Sequence, residues 1–301
     1  MSIQLSDLIL AWRKAKVDLY YSTNPPLFEM ADYEENLIDN LENLGGRINS
    51  KSKKNGSLNP IFLGSWTLAP KGISFNQESA DDGHDAAPIF ADPEAEWHSQ
   101  IERRNKPTAE FRLMARCSMD FHVLSALWML QVGHLFDKQL SDNVHGSRLR
   151  RNRHNEINPL SLGSFKPYLK PFKDWRDGAI NAMAKALADK KKVIALTADV
   201  SSFYHELRPD FMLDTAFFEV VGVELSELQE KLHRLFITAL QAWAKSTPLQ
   251  KGLPVGLPAS AVVANAALIQ LDHFIEQQVV PLYYGRYVDD ILLVMENTSD
   301  L

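Results

Sequence analysis

Hydrophobic positions recur along the chain with two periods, and the switches between them outline an order of elements. Leu8, Trp12, Ala15 and Leu19 fall at helical spacing behind Ser6, a capping residue, and Pro25-Pro26 closes that unit. A second helix is predicted from Asp32 to Leu44, with Gly45-Gly46 as its stop. Ile61-Phe62-Leu63 and Trp66-Thr67-Leu68 read as short strands around Gly64. Glu110 to Arg116 alternates like a strand, which puts Arg112 and Arg116 on one face. Helices are then predicted over Phe121–Leu140, strongly apolar, and over Trp175–Lys190, with Ile180, Met183, Ala184 and Leu187 inward. Another spans Leu225–Lys245, with Leu228, Leu232, Leu235 and Trp243 inward. Val193 to Asp199 is an apolar run ending in a carboxylate, the pattern of a buried strand. A Gly/Pro loop at Gly252–Pro258 leads into a helix over Ala259–Gln278. Last come two runs, around Tyr283–Tyr287 and Ile291–Met295, flanking Asp289-Asp290: a β-hairpin with the carboxylates at or beside its turn.

Composition adds limits. With 301 residues, 45% hydrophobic and 23% charged, the chain has room for two domains or one with a sizeable core. No apolar run is long enough to cross a bilayer, and Met1–Asp7 lacks the pattern of a signal peptide. Cys117 is the only cysteine, which excludes intrachain disulfides and cysteine-based zinc sites. A cytoplasmic protein without membrane contact is expected. The net charge of −6 argues against nucleic-acid binding by the whole surface, yet the charge is uneven. Seven acidic residues and no Lys or Arg lie between Glu78 and Glu96, a stretch that reads as an exposed insertion. Basic clusters stand at Lys51, Lys53 and Lys54, at Arg148, Arg150, Arg151 and Arg153, and at Lys190–Lys192. The lysine runs, and the polar loop from Ile48 to Ser57, read as solvated. His84, Asp85 and His98 have no ligand spacing, and neither a P-loop nor a Gly-x-Ser-x-Gly elbow is present.

Adjacent carboxylates at the end of apolar strands repel each other unless a cation or solvent relieves them. Taken alone, Asp289-Asp290 suits a solvated turn as well as a metal site. Two further segments shift the balance: Asp199 with Val200-Ser201-Ser202-Phe203-Tyr204, and the loop Gly252-Leu253-Pro254-Val255-Gly256-Leu257-Pro258. Nucleotidyl transfer by two metals needs carboxylates from neighbouring strands around ions roughly 4 Å apart. Asp199 and Asp289 supply such a pair.

In this order, the three segments resemble the palm motifs of reverse transcriptases, over about Arg112 to Met295. The resemblance implies an α+β chain built as right-hand polymerase fingers and palm, with an antiparallel palm sheet and packed helices. Residues 1–108 would be a helical extension with an acidic loop, 109–192 the fingers, and 193–301 the palm with an inserted helical segment at 208–250. It implies Asp199, Asp289 and Asp290 as catalytic carboxylates. Mg²⁺, or Mn²⁺ in its place, would be held by Asp199, Asp289 and Asp290 with the Val200 carbonyl. Tyr204 falls where the family places an aromatic gate against the ribose 2′-hydroxyl. Asp199 and Tyr204 have opposite strand parity, so the chain must turn between them. Gly256, Arg112 and Arg116 would meet the incoming nucleotide. Arg148, Arg150, Arg151, Lys251 and Tyr287 would meet template or primer.

Val255 stands where many relatives have Gln, and the Pro-Val-Gly form together with Arg286 resembles abortive-infection and defence-associated bacterial reverse transcriptases. Few residues follow the hairpin, so a thumb is expected to be absent from this chain, which is then either truncated or completed by a non-coding RNA or a protein. The implied activity is RNA-directed DNA synthesis from dNTPs on an RNA template with a DNA or RNA primer, in phage defence. Untemplated or protein-primed DNA synthesis, and a non-synthesising RNA-binding subunit, are the alternatives.

Overall fold

The computed structural model describes residues 2–50, 60–74 and 108–298, with residues 92, 94, 95, 98 and 102 between them. Lys51, Lys53, Lys54, His84, Asp85 and most of the acidic stretch lie outside the described residues. The chain divides into two compact units, Met1–Ser65 with Ala115–Leu301, and Trp66–Met114.

The larger unit begins with α1 (Leu5–Tyr20), which buries the residues the spacing selects, Leu8, Trp12, Ala15 and Leu19, together with Ala11 and Lys14. Its cap is Gln4, paired with Asp7 in a reciprocal capping box, and Ser6 lies inside the first turn. The expected second helix is two helices, α2 (Leu27–Glu35) and α3 (Leu37–Asn49). Gly45-Gly46 does not stop α3. A Cβ on Gly45 would stand 3.0 Å from the Leu8 side chain, so this glycine serves close packing of α3 on α1. Ile61-Phe62-Leu63 falls in a short helix, α4 (Pro60–Leu63), rather than a strand; Pro at the first position suits a helix start.

In the smaller unit, β1 (Ser65–Ser74) pairs with β2 (Thr108–Arg116). Leu113 is buried there and Arg112 is exposed.

The core of the larger unit is built on α5 (Met119–Trp128). It runs through a π-helical segment, Met129–Gly133, into α6 (His134–Gln139). Every residue of α5 except Asp120 is buried. Trp128 stacks on Phe236 at 4.7 Å, a residue of α10 (Glu227–Ser246), which buries Leu232, Phe236, Leu240 and Trp243. Before α10 come α7 (Leu169–Ala188), α8 (Phe203–Glu206) and α9 (Thr215–Val221). After it come α11 (Pro258–Ala267) and α12 (Ile269–Phe274), which continues as a π-helical segment, Ile275–Val279.

The second sheet has the order β3-β5-β4 and is antiparallel throughout, from β3 (Val193–Asp199), β4 (Tyr283–Tyr287) and β5 (Asp290–Glu296). Mixed helices and antiparallel strands make the chain α+β. The register puts Tyr283, Tyr287, Leu292, Val294 and Asp199 on one face. α7 packs there through Trp175, Ala179 and Met183. Ile180 and Leu187, expected inward, are 50% and 60% exposed. The small side of α7 wins the sheet because it approaches closely: a Cβ on Gly178 would fall 2.5 Å from the Tyr283 ring. On the other face, Ile275 and Leu271 pack on Tyr284, Ile291 and Leu293. Neither helix layer covers β3, an edge strand exposed along all but Val193. The expectation of a buried strand fails here, because an apolar run reports strand propensity and not which neighbours will cover it. No described helix is long and apolar enough to cross a membrane.

Candidate active site

The hairpin turns on two residues, Val288 and Asp289, because Tyr287 and Asp290 face each other as its last pair. Val288 takes a positive φ of 61°, a costly backbone state for a β-branched residue. Its surroundings impose that state. The Arg286 guanidinium donates to the Val288 carbonyl at 2.6 Å, and to both oxygens of Asp272 at 2.7 and 2.6 Å. It also donates to Asn265 Oδ1 at 2.9 Å. Asn265 donates onward to the Gly146 carbonyl at 3.0 Å, and Gly146 lies so close under the turn that a Cβ would stand 2.8 Å from the Val288 nitrogen. The Tyr284 hydroxyl completes the set on Asp272, and burial followed by the Asp272 charge pushes its pKa up. The outer side of β4 is tied as well: the Arg286 N–H donates to the Asn143 carbonyl, and His145 N–H to the Arg286 carbonyl.

Arg286 is fully buried and Asp272 nearly so. The motif comparison alone gives Arg286 no structural part. A signal for one does exist in the sequence: Arg286 shares strand parity with Tyr284, and Asp272 interrupts an apolar helix. Each is a buried charge that requires a partner.

Asp199, Asp289 and Asp290 are brought together by pairing. In the β3–β5 register Asp199 is opposite Asp290, so their side chains share a face. Asp289 sits on the turn, and its carbonyl accepts from Val200 N–H at 3.3 Å, which clips the end of β3 to the hairpin. The direct neighbour of Asp199 across the strands is thus Asp290, while Asp289 projects from the turn beside Tyr204. Burial, and next the Asp199 charge, raise the Asp290 carboxyl above the usual carboxylate range. Among the described residues neither Asp199 nor Asp290 has an ion-pair partner, and no group of three or more His, Cys, Asp or Glu side chains stands in metal-holding geometry. The donor chemistry nonetheless fits a hard divalent cation: three carboxylates with hard oxygens, two of them in mutual repulsion that such an ion relieves.

The chain turns after Asp199, as the parity of Asp199 and Tyr204 demands. Ser202 takes a left-handed conformation, φ 53°, and α8 starts at once. Phe203 is buried and meets the Tyr204 ring edge-on at 6.1 Å. Burial, and after it the negative charge of Asp289, push the Tyr204 hydroxyl pKa up, which puts the ring in the electrostatic reach of the turn.

The Gly252–Pro258 loop is fastened to the same place. Leu253 N–H donates to the Tyr204 carbonyl at 2.6 Å. Gly252 has φ +94°, and a Cβ there would fall 2.7 Å from the His205 carbonyl oxygen, so only glycine fits. Val255 accepts from Ala115 N–H at 2.8 Å, and Gly256, with φ +107°, is exposed. Lys251 is ion-paired with Glu206.

The remaining site residues divide. Arg116 is exposed at the end of β2, whereas Arg112 belongs to the smaller unit. Arg148 and Arg151 turn inward onto the buried Asp137, at 3.2 and 3.0 Å, and onto carbonyl oxygens of residues 134–144. Arg150 donates to the Leu162 carbonyl at 2.7 Å. Tyr287 packs against Phe172 and Trp175 of α7, at ring separations of 5.6 and 5.9 Å.

A family model described as reverse transcriptase (RNA-dependent DNA polymerase) matches residues 104–301. No curated protein matches the chain.

Proposed function

The chain belongs to the reverse transcriptase family, and from that premise we propose that Asp199, Asp289 and Asp290 are the catalytic carboxylates of a two-metal DNA polymerase in bacterial phage defence. As a family member it is a nucleotidyltransferase, an RNA-directed DNA polymerase, whose class binds template, primer and dNTPs and uses divalent metal ions such as Mg²⁺. The observation that carries the assignment is the register that sets Asp199 opposite Asp290 with Asp289 on the adjoining turn.

In this reading Asp199, Asp289, Asp290 and the Val200 carbonyl hold Mg²⁺. Held there, such ions would supply stabilisation of charge on the attacking and leaving oxygens. The protein contributes position. Arg286 and its partners fix the turn before substrate arrives, so the carboxylates need no reorganisation. Tyr204, whose ring meets Phe203 and whose carbonyl accepts from Leu253 N–H, forms the floor on which a deoxyribose rests and against which a 2′-hydroxyl collides. Gly256, exposed and without a side chain, gives the nucleotide room, and Arg116 offers a guanidinium fork to its phosphates. Residues 109–192 act as fingers, and 193–301 as palm with an inserted helical segment at 208–250. Arg150, Lys251 and Tyr287 meet the nucleic acid. Arg148 and Arg151, already bonded inside, hold the loop after α6 in shape. The defence role rests on the Pro254-Val255-Gly256 loop and on Arg286 preceding Tyr287.

Primer extension with dNTPs and Mg²⁺ tests the site. Asp199→Asn and Asp289→Asn are expected to lose at least about 10²-fold in rate, and wild-type rates in either variant refute the assignment. Tyr204→Ala is expected to admit ribonucleotides in the same assay; unchanged discrimination removes the gate. Phage plaquing on cells carrying the chain or its Asp289→Asn form tests the defence role, which equal plaquing overturns.

A further inference from the structure

Two features next to the carboxylates have no part in the roles assigned above. The first is a cavity of about 540 Å³ between residues 142–148 and the start of α7, with the cations Arg148, Lys166 and Lys170, the acids Asp142 and Asp174, and His145 in its wall. The second is the segment Lys166-Pro167-Tyr168-Leu169-Lys170-Pro171-Phe172-Lys173-Asp174-Trp175-Arg176, which alternates cations with aromatic rings. It carries Lys166, Lys170, Lys173 and Arg176 against the single acid Asp174, in a chain whose net charge is −6.

The rings are placed for stacking. Tyr168 is 69% exposed and Phe172 44%. Phe172 N–H donates to the Tyr168 carbonyl at 3.0 Å, so the two residues sit one helical turn apart on the same side. Phe172 meets Tyr287 edge-on, and Tyr287 is the strand partner of Asp290. Phe172 thus lies between the helix turn that carries Lys170 and Pro171 of the cavity wall and the strand that leads to the carboxylates.

We propose that residues 166–176 form a ledge for a single nucleic-acid strand, with bases on Tyr168 and Phe172 and a backbone phosphate in the cavity beside Lys166 and Lys170. The inference rests on the polymerase reading and goes beyond it by naming where the strand lies. Rings offer sequence-tolerant stacking and the interleaved lysines follow the backbone, the combination that unpaired strands require. An apolar protein surface would leave these cations without use. The Lys170–Asp174 ion pair is exposed, so exchanging the carboxylate for a phosphate costs little. Arg148 is held by Asp137 and contributes charge to the cavity without leaving its place.

The test uses the full chain and a fluorescein-labelled oligonucleotide, as single-stranded RNA and as DNA of the same sequence, with anisotropy read over a range of salt. Tyr168→Ala, whose exposed ring adds little to folding, and Phe172→Ala are each expected to weaken binding about tenfold while the salt slope stays the same. The Lys166→Glu/Lys170→Glu double variant is expected to flatten log K against log salt by about 0.7 for each phosphate it no longer neutralises. Weakening confined to RNA identifies the template as the occupant, and weakening confined to DNA the primer; both support the ledge. Wild-type affinity in Tyr168→Ala together with a wild-type slope in the lysine variant overturns it. Asp199→Asn separates the two claims. Retained binding with abolished extension upholds the polymerase site whatever happens to the ledge, and wild-type extension in that variant removes the polymerase site even where ring-dependent binding persists.

Discussion

β5 arrives at Asp290 with four consecutive residues, Ile291 to Val294, buried, whereas β3 arrives at Asp199 exposed along almost its whole length. The hairpin side is over-determined. Arg286 within it, and Asp272, Asn265 and Gly146 from three other segments, hold Val288 in an unfavourable backbone state. Along its exposed length the β3 side is held by its ladder with β5 and the Val200-to-Asp289 hydrogen bond. The hairpin is therefore the fixed reference of the site, and Asp199 takes its position from it. A site that must hold like charges together is steadier when one side is built into the core.

The largest effect that breaks this contrast comes from the buried pair. Arg286→Met or Asp272→Ala leaves an uncompensated buried charge and is expected to cost about 3–5 kcal/mol in denaturant unfolding, with extension abolished. Replacing both at once, Arg286→Met with Asp272→Leu, should recover much of the stability and none of the extension, since the Val288 carbonyl loses its donor either way. Recovered extension would show that the turn needs no such support. Tyr284→Phe removes one hydroxyl and is expected to cost about 1 kcal/mol.

An intermediate effect concerns charge. Because the Asp290 carboxyl is raised in the folded chain, the folded state binds its proton more tightly than the unfolded chain does. Stability without metal therefore falls as pH rises through the acid range from about 4, and the decline is complete once pH passes the folded value. Asp290→Asn should remove its share of that slope, leaving the share of Asp18 and Asp120, whose carboxyls burial also raises, and should raise the neutral-pH unfolding midpoint in EDTA and reduce extension. Urea midpoints at several pH values check it, and an unchanged slope removes the Asp199–Asp290 repulsion from the account.

The smallest effect lies on the exposed strand. Ile194 and Leu196 are each 46% exposed, so Ile194→Thr is expected to shift stability by no more than about 0.5 kcal/mol. A cost of about 2 kcal/mol or more in the same unfolding measurement would mean that this face is covered in solution.

Much of this arrangement was legible in advance. Helical spacing located α1, α5, α7 and α10, alternation located β2, and the two apolar runs around Asp289-Asp290 located the hairpin and its turn. These signals are local, written within about ten residues. What misled was also local. Glycines 45 and 46 look like a helix stop, but Gly45 is there so that Leu8 can pack. Ile180 and Leu187 look like the buried stripe of α7, but the small residues Gly178 and Ala179 bring the helix nearer to the sheet. The ion pairs of Arg148 and Arg151 with the buried Asp137 carry no local signal at all.

The sequence by itself determined the order of most elements, the carboxylates at a strand end and at or beside a hairpin turn, the turn required between Asp199 and Tyr204, and the family resemblance. Only the tertiary structure decided that Asp290 rather than Asp289 is the strand partner of Asp199, that β3 lies open, and that Arg286 anchors the turn. The physical reason is range. Periodicity and turn chemistry act between neighbours, whereas strand register, burial of a face and the partner of a buried charge are set by segments as far apart as Gly146, Asp272 and Val288.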